Sequence, residues 1–149
     1  MGFGKDVNDY FNHFITLADA KAAGFIAATL TVGAATLKLH PTSTGGDALK
    51  WLAVAVLGAS LAADAHVVFP RLPSGRRGLI FWEDVRTFKD HEEYQHEVGN
   101  LTPADVEAEY AAQNYFVADV VHRKHYWVRW GIVLFLVGTG LAVGAYSLT

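Results

Sequence analysis

The sequence has no cysteine and only four prolines among its 149 residues. The absence of cysteine excludes disulfides and thiolate metal ligands, so the fold cannot depend on either. A basic surplus is also missing, because twelve Lys and Arg are set against fifteen Asp and Glu, and this balance disfavours a nucleic-acid-binding protein. Since the chain also lacks a nucleophile elbow and a glycine-rich phosphate loop, we expect no enzyme and no catalytic residues.

Apolar residues are abundant instead, at 52% of the chain, with a mean hydropathy of +0.19 that is high for a soluble domain of this length. Trp130–Thr149 runs twenty residues without a charge, which corresponds to about 30 Å of helix and therefore to one hydrocarbon core. Ala22–Leu37 is charge-free for sixteen residues, and Lys21 and Lys38 at its ends can extend to the membrane interface. We predict transmembrane helices over about residues 21–39, 49–69 and 127–148.

The second predicted span is interrupted by Asp64 and His66. An aspartate at the centre of a membrane helix costs about 2.5 to 3.5 kcal/mol, so we expect Asp64 near the end of the span or facing a partner helix. Residues 40–47, HPTSTGGD, have the composition of a turn, and Asp47 is the predicted N-cap of the second helix. The first two spans are therefore predicted to form a helical hairpin.

The distribution of charge predicts the topology. Ten of the twelve Lys and Arg lie in residues 1–21 and 71–129, so the positive-inside rule puts the N-terminus and the middle segment in the cytoplasm. The N-terminal residues lack a continuous apolar stretch, and we expect no cleaved signal peptide. We predict one domain over 1–149: an all-α membrane protein with an N-terminal hairpin, a C-terminal span and a small cytoplasmic helical layer at 70–126.

Capping signals divide this layer. Asp90 followed by Glu93 predicts the start of a short helix that stops at Gly99 and Asn100. Thr102 followed by Pro103 predicts a second start, and because nothing breaks the pattern before the final span, we expect one helix from Pro103 through the membrane.

Several polar residues could bind a ligand near the predicted membrane boundary. Asp19 and Lys21 lie about 200° apart on a helix and so need separate partners, and Lys21 is either an interface anchor or part of an anion site. Gln113 and Lys124 share one helix face, either as a packing face on which Gln113 bonds a neighbour's backbone or as ligand contacts.

Arg71 and Trp82 have the same two interpretations. Arg71 follows Pro70 at the exit of the second span and is either a topology marker or a cation held near the base of the bundle. Trp82 is either a core residue or a stacking surface for a base, a contact worth about 1 to 3 kcal/mol.

Three residues on the last helix, Asp119, His122 and His125, are spaced at i, i+3 and i+6. The set matches no established metal-binding spacing, so we expect no metal site, and a metal-dependent membrane enzyme is the least favoured hypothesis.

A resemblance covers the chain from about Leu17 to Val137. The segments LADAKAAGFIAAT, FPR, LIFWEDV with EEY shortly after, Gln113 and RKHYWVRW occur in the order and spacing of the Pycsar effector transmembrane family, which this sequence resembles. Two departures are visible: Phe81-Trp82 stands where the family usually has Phe-Phe, and Arg123-Lys124-His125 stands where it has Arg-Lys-Tyr.

The resemblance implies an antiphage defence effector. Such an effector senses a cyclic pyrimidine mononucleotide, cCMP or cUMP, made by a partner cyclase, and impairs the bacterial inner membrane, causing growth arrest or cell death. It needs no cofactor. Three spans are too few to enclose a pore, so we expect a homo-oligomer.

The family resemblance also suggests ligand-binding residues. We expect Lys21, Arg71 and Lys124 to converge on the cyclic phosphate and Asp19 to pair with Arg71 or Arg123. The full predicted set is Lys21, Arg71, Lys124, Gln113, Trp82 and Asp19. Small residues are expected to pack the spans within one chain, as Gly24 with Ala28, Gly58 with Ala62, and Gly140 with Gly144.

An alternative function needs no nucleotide. The same cytoplasmic helices are compatible with a membrane adaptor or scaffold that docks a protein partner.

Overall fold

The structure is a computed structural model that describes residues 2–69 and 78–149, except for the Trp82 side chain. The described residues form helices and turns without a strand. In chain order the helices are α1 (Phe3–Leu37), α2 (Thr44–Val68), α3 (Trp82–Val85), α4 (His91–Gly99) and α5 (Pro103–Tyr146). Three of them, α1, α2 and α5, are long and apolar enough to cross a membrane, so the predicted all-α membrane fold is confirmed.

Helix α1 begins well before the predicted span. It starts at Phe3, and the first turns carry an exposed ion pair between Lys5 and Asp9 at 2.8 Å, one helical turn apart. Such pairs stabilise an exposed helix by only a few tenths of a kcal/mol. The helix ends at Leu37, where the N–H groups of Lys38 and Leu39 close a tighter last turn.

The predicted hairpin is confirmed, but its cap is a different residue. Ser43 caps α2 by accepting a hydrogen bond from the Gly46 N–H at 3.1 Å, so the expectation for Asp47 was wrong. Asp47 lies in the first turn, where its charge is favourable to the helix dipole. The Lys50 ammonium donates to the Leu39 carbonyl at 2.7 Å and so holds α2 to the end of α1.

Both predicted helix starts in the layer are confirmed. Asp90 accepts from the Glu93 N–H at 2.9 Å, and α4 ends at Gly99. Thr102 and Asp105 form a reciprocal pair: the Thr102 N–H donates to the Asp105 carboxylate at 2.8 Å, and the Asp105 N–H donates to the Thr102 hydroxyl at 3.3 Å. The Thr102 hydroxyl and N–H lower the pKa of Asp105, because both donate to its ionised form.

Helix α5 is continuous from Pro103 to Tyr146, as predicted, and its 44 residues are 44 × 1.5 Å or about 66 Å long. That is about twice the hydrocarbon thickness of a bilayer. A single helix therefore contains both the last predicted span and a long polar segment before it.

The chain divides into two compact units. We call residues 16–70 and 123–149 the membrane unit, since most of each predicted span lies there, and residues 1–15 and 71–122 the polar unit. In the membrane unit most side chains at 0% exposure are small: those of Ala18, Ala22, Ala53, Ser60 and Ala145, with Asp64 as the larger exception. Small side chains let helices approach closely, which is how membrane helices associate.

The glycines that make close contacts are not those expected. A Cβ on Gly24, Gly58 or Gly140 would meet nothing within 4 Å, so the predicted intrachain packing at these three glycines was wrong. Close contacts form instead at Gly131, against Asp64, and at Gly138, where a Cβ would lie 2.8 Å from the Leu57 side chain.

Candidate functional site

Lys124 joins three helices of the membrane unit at one point. Its ammonium, on α5, forms an ion pair with Asp19 on α1 and donates to the Val67 carbonyl of α2 at 2.7 Å. The Lys124 side chain is only 14% exposed, so it does not extend freely into solvent as an interface anchor would. We call this contact of Asp19, Val67 and Lys124 the lysine junction.

The end of α2 explains the contact with Val67. The last four carbonyl groups of a helix have no partner within the helix, and the helix dipole is negative there. Because α2 ends at Val68, the Val67 carbonyl is one of these groups, and Lys124 supplies both a donor and a positive charge. Lys124 therefore caps α2 from a neighbouring helix.

The surroundings of the lysine junction are apolar and tightly packed. Ala18 and Ala22 of α1 form a buried cluster with Val67 and Val128, and Trp127 lies against it. The Trp127 ring is also 4.5 Å from the His66 ring, measured between centroids. Lys124 is thus mostly buried, but the Asp19 side chain is 39% exposed, so solvent partly screens this ion pair.

A second polar contact lies where α2 meets α5, again within the membrane unit. The Ser60 hydroxyl donates to the Gly131 carbonyl at 2.9 Å, and the Asp64 carboxyl lies against Gly131 with 0% exposure. The prediction that Asp64 lies near the end of its span or faces a partner helix is confirmed on both counts. Ser60 and Gly131 were not predicted, although a charge inside a predicted span is a usable signal for such a site.

The polar unit is held by amide and carboxylate side chains. Asn114 donates to the Gly4 carbonyl at 2.8 Å and accepts from Asn8 at 3.0 Å, and Glu107 accepts from the Gly4 N–H at 2.8 Å. These contacts were not predicted, although Asn8 and Asn12, one turn apart, are a sequence signal for a polar face. Asn114 has the role that the packing interpretation gave to Gln113.

Gln113 has a hydrogen-bond acceptor that the described residues do not use. The side chain is half-buried, and its carbonyl oxygen is buried with no hydrogen-bond partner among residues 2–69 and 78–149. An unpartnered buried acceptor is uncommon in proteins and is available to a ligand donor.

The predicted ligand-binding residues are placed as follows. Asp19 and Lys124 meet, so Asp19 pairs with a base from another segment, and that base is Lys124. Lys21 is exposed and forms no ion pair with another described residue, which agrees with its predicted separation from Asp19. Arg71 and the Trp82 side chain lie outside the described part of the chain.

No group of three or more His, Asp and Glu side chains within the described ranges is arranged to hold a metal ion. His122 is exposed and His125 half-buried on α5.

Comparison with known proteins gives one family. A family model described as the Pycsar effector protein domain matches residues 3–149. No curated protein and no solved structure gives a significant match to the chain.

Proposed function

Since this chain belongs to the Pycsar effector family, whose model spans nearly its whole length, we propose that it is an antiphage effector that senses a cyclic pyrimidine mononucleotide. Binding of cCMP or cUMP, made by a partner cyclase, activates the protein to impair the bacterial inner membrane. The consequence for the infected cell is growth arrest or death.

The observation that supports this proposal most strongly is the lysine junction. A ligand shifts a conformational equilibrium only by binding one state better than the other. Lys124 is bound to a carboxylate of α1 and a carbonyl of α2, so a cyclic phosphate that takes its ammonium removes one contact from each helix. An anionic ligand is thereby coupled to the packing of all three predicted spans.

Lys21 and Arg71 provide further positive charge for the same phosphate. Lys21 is exposed and lies two residues after Asp19 on α1. Its ammonium has no carboxylate partner among the described residues. Because Asp19 neutralises Lys124 in the resting state, a second cation favours the exchange of carboxylate for phosphate. Arg71 follows the end of α2 closely in sequence and is proposed as the third cation.

Gln113 and Trp82 are proposed to contact the base. The buried carbonyl oxygen of Gln113 can accept a hydrogen bond from the cytosine amino group or from the N–H of uracil. Trp82 supplies an aromatic surface of the type on which bases stack.

We also propose a homo-oligomer in the inner membrane, with the N-terminus in the cytoplasm, and two further features support this. The distribution of Lys and Arg favours this orientation. Gly24, Gly58 and Gly140 have open space where a Cβ would lie, so these small positions remain available for helices of a second copy.

Calorimetry of the purified protein in nanodiscs tests nucleotide sensing. We expect heat of binding with cCMP or cUMP, none with a cyclic purine nucleotide, and release of a dye from vesicles containing the protein only when the active nucleotide is added. Absence of binding to both pyrimidine nucleotides would reject the proposal and favour the adaptor that docks a protein partner.

Substitutions test the cation cluster in cells that carry the cyclase. Lys21→Ala, Arg71→Ala and Lys124→Ala should each abolish the toxicity that the nucleotide triggers, while the protein still inserts in the membrane. Lys38→Ala, at the far end of α1, is the matched control and should leave toxicity unchanged. Full toxicity in all three variants would rule out the cluster as the phosphate site.

A further inference from the structure

Asp64 occupies an unusual place for an acidic residue. It lies on α2, one turn before the end of the helix at Val68, and its side chain has 0% exposure. It faces Gly131 of α5 so closely that a Cβ at that glycine would lie 2.7 Å from the carboxyl carbon. The absence of a side chain at Gly131 is therefore what gives the carboxyl room.

The Asp64 carboxyl has no partner within the described ranges. Both of its oxygens are buried without a hydrogen bond. The nearest hydroxyl along the same face, that of Ser60, donates to the Gly131 carbonyl at 2.9 Å. No donor is therefore provided for a carboxylate at this position.

The charged and titratable groups around Asp64 are engaged elsewhere. On α5, Lys124 is bound to Asp19 of α1 and to the Val67 carbonyl. On α2 itself, the His66 ring lies against Trp127, with 4.5 Å between the ring centroids. Among residues 2–69 and 78–149, no cation is paired with Asp64, which lies between α2 and α5.

We propose that Asp64 is a proton-binding site inside the membrane unit, carried as the neutral acid while α2 and α5 are packed together. An ionised carboxylate that is fully buried and has no hydrogen-bond donor or cation among the described residues is strongly disfavoured. When the two helices separate, water reaches the carboxyl and its O–H bond breaks. The bonding electrons stay on the carboxylate, and water accepts the proton.

Opening of α2 from α5 is then linked to pH. The packed state holds one proton more than the separated state, so the equilibrium constant for opening should rise about tenfold per pH unit from about pH 4, where an exposed aspartate titrates, up to the pH at which the packed carboxyl itself loses its proton. The linkage concerns the helix contact alone and does not depend on the nucleotide. It goes beyond the proposed function, because it sets the pH at which any stimulus opens the bundle most easily.

Infrared spectroscopy of the protein in nanodiscs tests the protonation state. A protonated carboxylic acid has a C=O stretch that a carboxylate lacks, so we expect this band at neutral pH in the wild type and its loss in Asp64→Asn. Asp47→Asn, at the exposed start of the same helix, is the matched control and should keep the band. A wild type without the band would overturn the proposal.

Hydrogen exchange tests the linkage. After correction for the intrinsic pH dependence of exchange, opening measured at amides of α5 around Gly131 should rise about tenfold per pH unit in the wild type and in Asp47→Asn. Asp64→Asn has nearly the same shape but does not titrate, so its opening should not change with pH. His66, Lys124 and Asp19 are intact in this variant, and a residual slope would assign the linkage to them and contradict the proposal.

Two further measurements complete the test. Ser60→Ala removes a neutral hydrogen bond and should increase opening at every pH with an unchanged slope, which separates packing from protonation. A sodium-dependent decrease in wild-type opening, together with a missing acid band, would identify Asp64 as a cation site and overturn its assignment as a proton site.

Discussion

In the membrane unit the helices meet over side chains as small as alanine and serine, whereas in the polar unit they meet through asparagine and glutamate side chains that bond backbone groups. The fully buried residues of the membrane unit include five alanines, Ala18, Ala22, Ala53, Ala63 and Ala145, at 0 to 4% exposure. Among the described residues of the polar unit, only Gly4, Asn8 and Asn114 are buried. The described part of the polar unit therefore contains no fully buried apolar side chain.

The two kinds of packing predict which substitutions disrupt each unit. Lipid offers no hydrophobic driving force between helices, so close contact and a few polar links hold the membrane unit together. The lysine junction is one such link. It contains an ion pair, whereas the Asn114 contacts of the polar unit are hydrogen bonds between neutral groups. Changes in volume should damage the membrane unit most, and loss of single hydrogen bonds should have smaller effects.

The largest effect is expected at Gly138. Its alanine variant would place a Cβ 3.2 Å from the backbone nitrogen of Leu57 and closer still to the side chain, so α2 must shift. We expect the free energy of unfolding to fall by about 1 to 3 kcal/mol, measured by denaturant titration in detergent. Gly140→Ala on the same helix meets nothing and should raise it by up to about 1 kcal/mol through helix propensity. Equal effects of the two variants would contradict the packing account.

The next effect concerns the lysine junction. Lys124→Met keeps the length of the side chain but loses the ion pair with Asp19 and the bond to the Val67 carbonyl, so stability should fall by about 2 kcal/mol. Lys21→Met is the control, with an expected change within about 0.5 kcal/mol. A double-mutant cycle with Asp19→Asn measures the coupling, and a coupling energy of zero would show that the ion pair does not stabilise the junction.

In the polar unit, substitutions of the adjacent residues Gln113 and Asn114 should have different effects on stability. Asn114→Ala leaves the Gly4 carbonyl and the Asn8 amide without their partner, and we expect a loss of about 1 kcal/mol in thermal unfolding. Gln113→Met replaces a buried acceptor that has no described partner, so stability should not fall, while nucleotide binding should weaken. A loss of stability in Gln113→Met equal to that in Asn114→Ala would show that Gln113 is structural.

The smallest effect is expected at the start of α5. The hydrogen bonds from Thr102 lower the pKa of Asp105 in the folded state, so their stabilisation is present above about pH 4 and is lost as pH falls through the folded pKa. The melting temperature of the wild type should therefore fall as the pH is lowered through this range. Asp105→Asn should lack this contribution to the fall. An unchanged pH dependence in the variant would contradict the capping role of the carboxylate.

Local signals predicted much of this fold. The three long apolar helices, the starts at Asp90 and Thr102, and the unbroken α5 were all predicted from residue type and spacing. The start of α1 at Phe3 was missed, because its charged and aromatic residues are not part of an apolar run. Ser43 and Asp47 are both good capping residues, and only the backbone geometry of the turn selects Ser43.

Which residues meet at the site depends on how each helix is rotated about its own axis. A single sequence does not determine this rotation. Arg71 and Arg123 were the expected partners of Asp19, and the orientation of α5 brings Lys124 to it. The same rotation decides that Gly131 and Gly138, seven residues apart, face α2 while Gly140 does not. The existence of a base paired with Asp19 could be predicted, but its identity could not.

The most direct test of the lysine junction as a ligand-controlled contact uses spin labels on α1 and α5. The chain has no cysteine, so Ala20→Cys and Tyr126→Cys, both exposed, give two unique labelling positions in the membrane unit. We predict that saturating cCMP or cUMP lengthens and broadens the distance distribution between the labels and that a cyclic purine nucleotide does not. An unchanged distribution, with nucleotide binding verified by calorimetry on the same sample, would contradict the account.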